Sequence, residues 1–166
     1  RAKAVQVYEK ARIAGDTQKT AEIYQVLKAA GVNAPTEELM KTTGIGSILY
    51  AKRPGDGSAR EYAASCQKVL GGLANIANEY ATKRYRSNLI NWGLIPFIID
   101  EGELPFRNGD FIFIPGAATA IRDKASEVRA YVVKDKLVEF TLKIGELTDD
   151  ERQIILDGCL INYYRH

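Results

Sequence analysis

The sequence predicts a mixed domain of the α/β or α+β class, preceded by a helical lead-in. Three observations predict it. The chain has 166 residues, about one domain's worth. Apolar residues make up 46% and charged residues 27%, a globular balance that can bury a core without staples. Segments of strand character alternate with segments of helix character along most of the length.

The elements follow in order. Residues 2–14 place Ala4, Val7, Tyr8 and Ala11 at helical spacing, and Gly15-Asp16 breaks that helix. A second helix carries Ala21, Tyr24 and Leu27 on one face and ends at Gly31. Pro35-Thr36-Glu37-Glu38 opens a short third, with proline near its first position. Residues 1–45 are therefore expected to be a helical lead-in or linker, and 46–166 the domain proper. Ile48–Ala51 is strand-like, and Arg53–Gly57 is a loop. Ser58–Leu70 is helical and closed by Gly71-Gly72; a strand follows over 73–77, then a polar helix through Arg86. Strands are expected over 94–99 and 111–114, with Asn108-Gly109 as a turn between them. Val128–Val133 and Leu137–Leu142 read as a hairpin across Lys134-Asp135-Lys136. Thr148 opens a last helix reaching about Asp157.

Composition excludes several functions. Twenty-three basic against 21 acidic residues give a net charge of +2, too even to attract nucleic acid or a membrane surface by bulk charge. The longest apolar runs are short pieces such as Phe111–Ile114, so no membrane-spanning helix is expected. No charged start followed by an apolar stretch marks a secretory signal. Cys66 and Cys159 form neither a disulfide framework nor a metal motif and are expected to be buried apolar residues in a reducing compartment. That compartment is the cytoplasm, or the mitochondrial matrix if the source is eukaryotic. The single histidine, His166, rules out a His-based triad or a multi-His metal site within these residues. The chain starts with Arg and is expected to be part of something longer.

The stretch Pro54-Gly55-Asp56-Gly57-Ser58-Ala59-Arg60-Glu61 carries the most chemistry. Ser58 and Glu61 match the capping box S-x-x-E, so one reading is a helix cap and nothing more. The other reading begins from what surrounds the cap. Glycines let backbone approach a ligand closely. First-turn N–H groups and the helix dipole favour an anion. Arg60 adds a guanidinium that can grip a carboxylate at two points. Both readings stand on the residues alone.

Further matches bring in a family. Gly55-Asp56-Gly57-Ser58-Ala59-Arg60-Glu61-Tyr62-Ala63-Ala64 resembles the Gly-acidic-Gly-Ser-Ser-Arg-Glu-His-Ala-Ala loop of the aconitase superfamily's swivelling domain. Leu70-Gly71-Gly72 matches the Leu-Gly-Gly at the following helix end. Asn88-Leu89-Ile90-Asn91-Trp92-Gly93-Leu94-Ile95-Pro96 is similar to the family's Asn-Leu-x-x-x-Gly-Leu-Leu-Pro, and Tyr163-Tyr164-Arg165 to its C-terminal Tyr-Tyr-Arg. The four landmarks occur in the family's order over about residues 50–166. The first 45 residues carry no such landmark.

The resemblance implies a swivelling β/β/α domain that closes over a larger unit holding a [4Fe–4S] cluster. The site would lie in the cleft between them, and the reaction would dehydrate and rehydrate a hydroxy-di- or tricarboxylic acid. The partners implied are cluster-bearing domains of the same enzyme or a separate large subunit, with no membrane. The isolated domain is expected to be inactive. Ser58 stands at the position of the base that removes a proton beside a carboxylate, and Arg60 at that of a carboxylate-binding arginine. Gly57 and Ala59 flank the serine in the substrate loop, and Arg53, or Lys52 beside it, is the candidate for a second family arginine. A neutral serine is a poor base, so the role needs an alkoxide-like state stabilised by N–H donors and positive charge. The departing hydroxyl needs a Lewis acid, which an iron with an open coordination position supplies.

Two departures bear on substrate. The family's second serine is Ala59 and its histidine is Tyr62, which argues against a standard citrate-to-isocitrate aconitase. Two cysteines cannot hold the cluster alone, since such a site needs at least three thiolates. Trp92, Tyr163 and Tyr164 are expected in the core. Lys83-Arg84-Tyr85-Arg86 reads as a solvated helix face, with contacts to the cluster domain or to phosphates as alternatives. Three functions remain: the swivelling domain of a fused hydro-lyase, a separate small subunit, or a non-catalytic carboxylate- or RNA-binding module.

Overall fold

The structure, a computed structural model, describes residues 43–165 together with residues 25 and 27–29. The helices expected over 2–14 and from Pro35 onward lie outside the described residues. Of the second expected helix, residues 25 and 27–29 are helical and Leu27 is buried. No helix among the described residues is long and apolar enough to cross a membrane.

The elements run β1 (Ser47–Ala51), α1 (Arg60–Val69), β2 (Gly72–Ala77), α2 (Lys83–Asn91), β3 (Ile95–Ile98), β4 (Phe111–Phe113), α3 (Ala117–Arg122), β5 (Glu127–Val133), β6 (Leu137–Ile144), α4 (Asp149–Leu156) and α5 (Leu160–Tyr163). The strands hydrogen-bond in the order β1-β2-β3-β6-β5-β4. The chain divides into two compact units: Ser47–Gly102 with Gly116–Val128 and Thr141–His166, and Arg1–Gly46 with Glu103–Pro115 and Arg129–Phe140.

The first unit is built on β1-α1-β2-α2-β3, the expected alternation of strand and helix. β1 and β2 are parallel, with Tyr50 opposite Ile76, and β2 and β3 are parallel, with Ile76 opposite Phe97. β6 joins β3 antiparallel, Phe97 facing Ile144. β2 is buried at Gly72 and from Ala74 to Ala77, as a parallel strand covered on both faces should be. Pro96 lies within β3 and has no N–H to give; the carbonyl of its register partner Asn75 accepts from the Tyr80 hydroxyl at 3.3 Å. Burial pushes the Tyr80 phenol well above its ordinary range, with the neighbouring Tyr85 adding to the rise, so this donor stays protonated. Ala64 of α1 packs with Tyr85, Leu89 and Leu94, flanked by Tyr80 and Trp92. α4 packs against α2 and α3.

In the second unit β4 and β5 are antiparallel, Phe111 facing Val133. Val128, Ala130 and Val132 along β5 are buried while Glu127 and Arg129 are exposed, the period-two pattern of a strand. Phe106 and Phe140 meet at a tilt, 5.7 Å between ring centres.

Several expectations change. α2 continues five residues past Arg86, because Leu89 and Ile90 supply a buried face. α3 and α5 were not legible: Ala117-Ala118-Thr119-Ala120 offers no apolar periodicity, and α5 is a single turn. Cys66 is exposed and Cys159 half-buried, not core, because α1 turns only Ala64 fully inward. Tyr164 is also exposed, while Trp92 and Tyr163 are half-buried. α1 leaves Tyr62, Cys66, Val69 and Leu70 facing solvent.

Candidate functional site

The parallel strands β1, β2 and β3 share one carboxyl end, where ligands of open α/β sheets commonly bind. Three connections meet there: residues 52–59 after β1, 78–82 after β2, and 99–102 after β3. Asn78 ties them together. Its Nδ2 donates to the carbonyls of Ile99 at 3.0 Å and Asp100 at 3.2 Å, and its Oδ1 accepts from the Tyr50 hydroxyl at 2.9 Å. The backbone adds further ties. Asn78 N and Glu79 N donate to Lys52 O, and Ala81 N donates to Pro54 O.

Gly55 is the tightest point of the loop. Its φ is +95°, and a Cβ there would come within 2.4 Å of Tyr85. Only glycine allows both this backbone and this approach. Its carbonyl accepts from Thr82 Oγ1 at 3.0 Å and from Arg60 Nε at 3.1 Å. Beneath it, the Tyr85 hydroxyl accepts from Gln67 Nε2 at 2.9 Å and from Asn75 Nδ2 at 3.0 Å. Asn75 is fully buried, and its Oδ1 has no partner among the described residues.

The capping box expected at Ser58 does not form. The N-cap of α1 is Ala59, and no side chain caps it. Ser58 stands one residue too early, and Glu61 is engaged elsewhere, its Oε1 accepting from Trp92 Nε1 at 2.6 Å. The chemical consequence favours the second reading of this loop. The first N–H groups of a ten-residue helix are left without a side-chain acceptor, the arrangement that attracts an anion.

Around that end the sequence-predicted residues are placed as follows. Asp56, Gly57, Ser58 and Ala59 are exposed, and the Ser58 hydroxyl has no hydrogen-bond partner among the described residues. A Cβ at Gly57 would meet nothing within 4 Å, so this glycine leaves space beside the serine. Arg60 is half-buried; its Nε is spent on Gly55, and no ion pair engages its two terminal nitrogens among the described residues. Arg53 is exposed and pairs with Glu79. Lys83 and Arg84 are exposed, Tyr85 is core, and Arg86 is half-buried, donating to Glu146 O and pairing with Glu151 at 3.6 Å. The basic run is therefore a solvated face only at its first two positions.

Sequence reasoning missed Asn78, Thr82 and the pair Tyr80 and Tyr85. Thr82 had a signal: a threonine directly before a helical run is an N-cap candidate. Asn78, just past a strand end, had only the weak signal of a turn residue. Among the described residues no group of three or more His, Cys, Asp or Glu could hold a metal ion. These residues do not fit a [4Fe–4S] cluster.

Comparison with known proteins gives the site its context. The chain is 40% identical to the homoaconitase small subunit of Thermus thermophilus over 74 residues, 44% of this chain and 45% of that protein. It is 29% identical to aconitate hydratase A of Streptomyces viridochromogenes over 119 residues, 70% of this chain and 13% of that protein. With aconitate hydratase A of Rickettsia bellii it shares 28% over 132 residues, 74% of this chain and 14% of that protein. The chain thus spans less than half the length of these curated relatives. The family described as the aconitase C-terminal domain matches residues 7–102, a stretch that contains the whole of the Gly55–Arg60 loop and the helices and strands that hold it. With more than half its length matched, the chain belongs to the aconitase C-terminal domain family.

Proposed function

We propose that this chain is the swivelling domain of a hydro-lyase acting on a hydroxy-di- or tricarboxylic acid, with Ser58 as the proton-abstracting base and Arg60 as a carboxylate anchor. The observation that carries the proposal is the uncapped start of α1. An exposed serine hydroxyl, open first-turn N–H groups and a guanidinium with its terminal nitrogens unengaged lie within the five consecutive residues 58–62 of a family chain. Arg60 would hold a carboxylate at two points, fixing the adjacent C–H bond relative to Ser58. Removing that proton places negative charge on the carboxylate, where the guanidinium and the α1 N–H groups stabilise it. The same donors favour the deprotonated serine. Gly57 leaves room for the substrate, and Arg53 would need to leave Glu79 to take part. Any cluster would be held by a partner domain or subunit, and the isolated chain would be inactive.

A separate small subunit is the alternative form of the same reading. It is favoured by the likeness to a protein named as a small subunit. The mass of the native polypeptide decides: about 18 kDa, the mass of the chain alone, rejects fusion.

The test is a hydratase assay on the native full-length protein after anaerobic cluster reconstitution, over a panel of hydroxy-di- and tricarboxylates including aconitate. Ser58→Ala is expected to lower kcat by about 10²–10⁴. Activity unaffected by the substitution would remove the serine from the chemistry.

A further inference from the structure

We infer that Thr82 is a positioning residue for the candidate site, holding Arg60 in place through the carbonyl of Gly55. The inference rests on the proposed role of the Ser58 loop. Thr82 does two things with one hydroxyl. It accepts from Tyr85 N at 3.2 Å, capping α2, and it donates to Gly55 O at 3.0 Å. The same carbonyl accepts Arg60 Nε at 3.1 Å. A carbonyl has two lone pairs, and here both are used, one by each donor. The oxygen is thereby held between the α2 cap and the arginine that a substrate carboxylate would meet.

The rest of the surroundings leaves Gly55 little freedom. Tyr85 fills the space against its Cα, and that ring is itself fixed at its hydroxyl by Gln67 and Asn75. The other end of α2 holds the same turn of α1, since Trp92, the α2 C-cap, donates to Glu61. α2 is therefore a brace whose two caps hold Gly55, whose carbonyl Arg60 Nε also meets, and Glu61. The bond that Thr82 makes is the one in this brace that reaches the loop itself. The Nε anchor occupies one edge of the guanidinium, so the terminal nitrogens are the ones left to meet a carboxylate.

Three substitutions separate the two tasks of the hydroxyl. Thr82→Ser keeps both. Thr82→Val loses both. Thr82→Asp keeps a good N-cap acceptor but cannot donate to Gly55 O. Two readouts are followed in the full-length protein: the solvent exchange of the Arg60 Nε–H proton by NMR with ¹⁵N-arginine, and KM against kcat for aconitate. Loss of the tether is expected to speed Arg60 Nε–H exchange in both Val and Asp variants. It should raise KM roughly three- to tenfold, with a smaller change in kcat. Thr82→Ser should restore both readouts, and Thr82→Asp should melt close to the parent. Unchanged Nε–H exchange in the Val and Asp variants would overturn the inference. So would a KM that follows only the melting temperature across the three. If the parent turns over neither aconitate nor the wider panel, the hydro-lyase reading fails, and the exchange experiment still decides the role of Thr82.

Discussion

Position 59 is the N-cap of α1, and alanine is among the poorest residues for that place. The expectation of a Ser58–Glu61 box was wrong by one residue, and the reason is local. Lys52, Pro54 and Gly55 each give a carbonyl to the segment 78–82 or to Arg60, so the loop is pinned before it reaches Ser58. The helix then starts at Arg60 with Ala59 at φ −85° and ψ 47°, outside the extended conformation of a good cap. Serine at this position supplies the missing acceptor once residue 59 turns to the extended backbone of a cap. Ala59→Ser is expected to raise stability by about 1 kcal/mol, a rise of roughly 2–4 °C in melting temperature for a chain of this size. Calorimetry of the full-length parent and variant checks it; a neutral or negative shift would mean that the first-turn N–H groups are already satisfied by solvent at no penalty. Ser58 and Arg60 stand out in the sequence as candidates because their residue types carry chemistry. Thr82 and Asn78 do not, because their effect runs through backbone carbonyls distant in sequence.

Among the elements, α4 shows what a working cap looks like in the same chain. Thr148 Oγ1 accepts from Glu151 N at 3.2 Å, and Glu151 Oε2 accepts from Thr148 N at 2.9 Å. Asp149 adds a carboxylate to the first turn, and the hydrogen bond from Lys124 Nζ, helped by that ammonium's charge, holds it below its ordinary range. Thr148→Ala is expected to destabilise the protein by about 1 kcal/mol in urea titration. An unchanged midpoint would show that α4 is held by its packing on α2 and α3 alone. The contrast between the two S/T-x-x-E patterns is instructive. Both have the sequence of a box, and only the one whose glutamate is not claimed by a distant tryptophan forms it. β1, β2, β5, β6 and α4 were read within a residue or two from alternation, breakers and caps. α3 went unread because it is made of small residues, and α2 was cut short because its polar first turns hide the buried Leu89 and Ile90 behind them.

At the scale of the molecule, the alternation of strand and helix and the four ordered landmarks sufficed to place the chain in its family. What they could not give is how distant turns meet. Gly93 and Gly158 are the clearest case. A Cβ on Gly93 would lie 1.9 Å from the Gly158 carbonyl, and the Gly93 φ is +68°. The turn after α2 and the turn after α4 thus cross with no side chain between them. Gly93→Ala is expected to cost about 3 kcal/mol or more, since overpacking and a strained backbone act together. A urea midpoint within error of the parent would mean that the crossing yields easily. Gly93 stands inside a recognised landmark, but the Gly158 crossing could not be read from that landmark.

The Asn78 amide has a last consequence, in terms of chemical ageing. One side chain joins the ends of β1, β2 and β3, using its nitrogen for two carbonyls and its oxygen for a hydroxyl. Hydrolysis of that amide to a carboxylate would replace a double donor with an acceptor, and the carbonyls of Ile99 and Asp100 would then face a negative charge. The tyrosine bond would survive and the other two would not. A change of a single nitrogen for oxygen, with almost no change in shape, would therefore loosen the β3 end of the rim that carries the loop while leaving the β1 end tied.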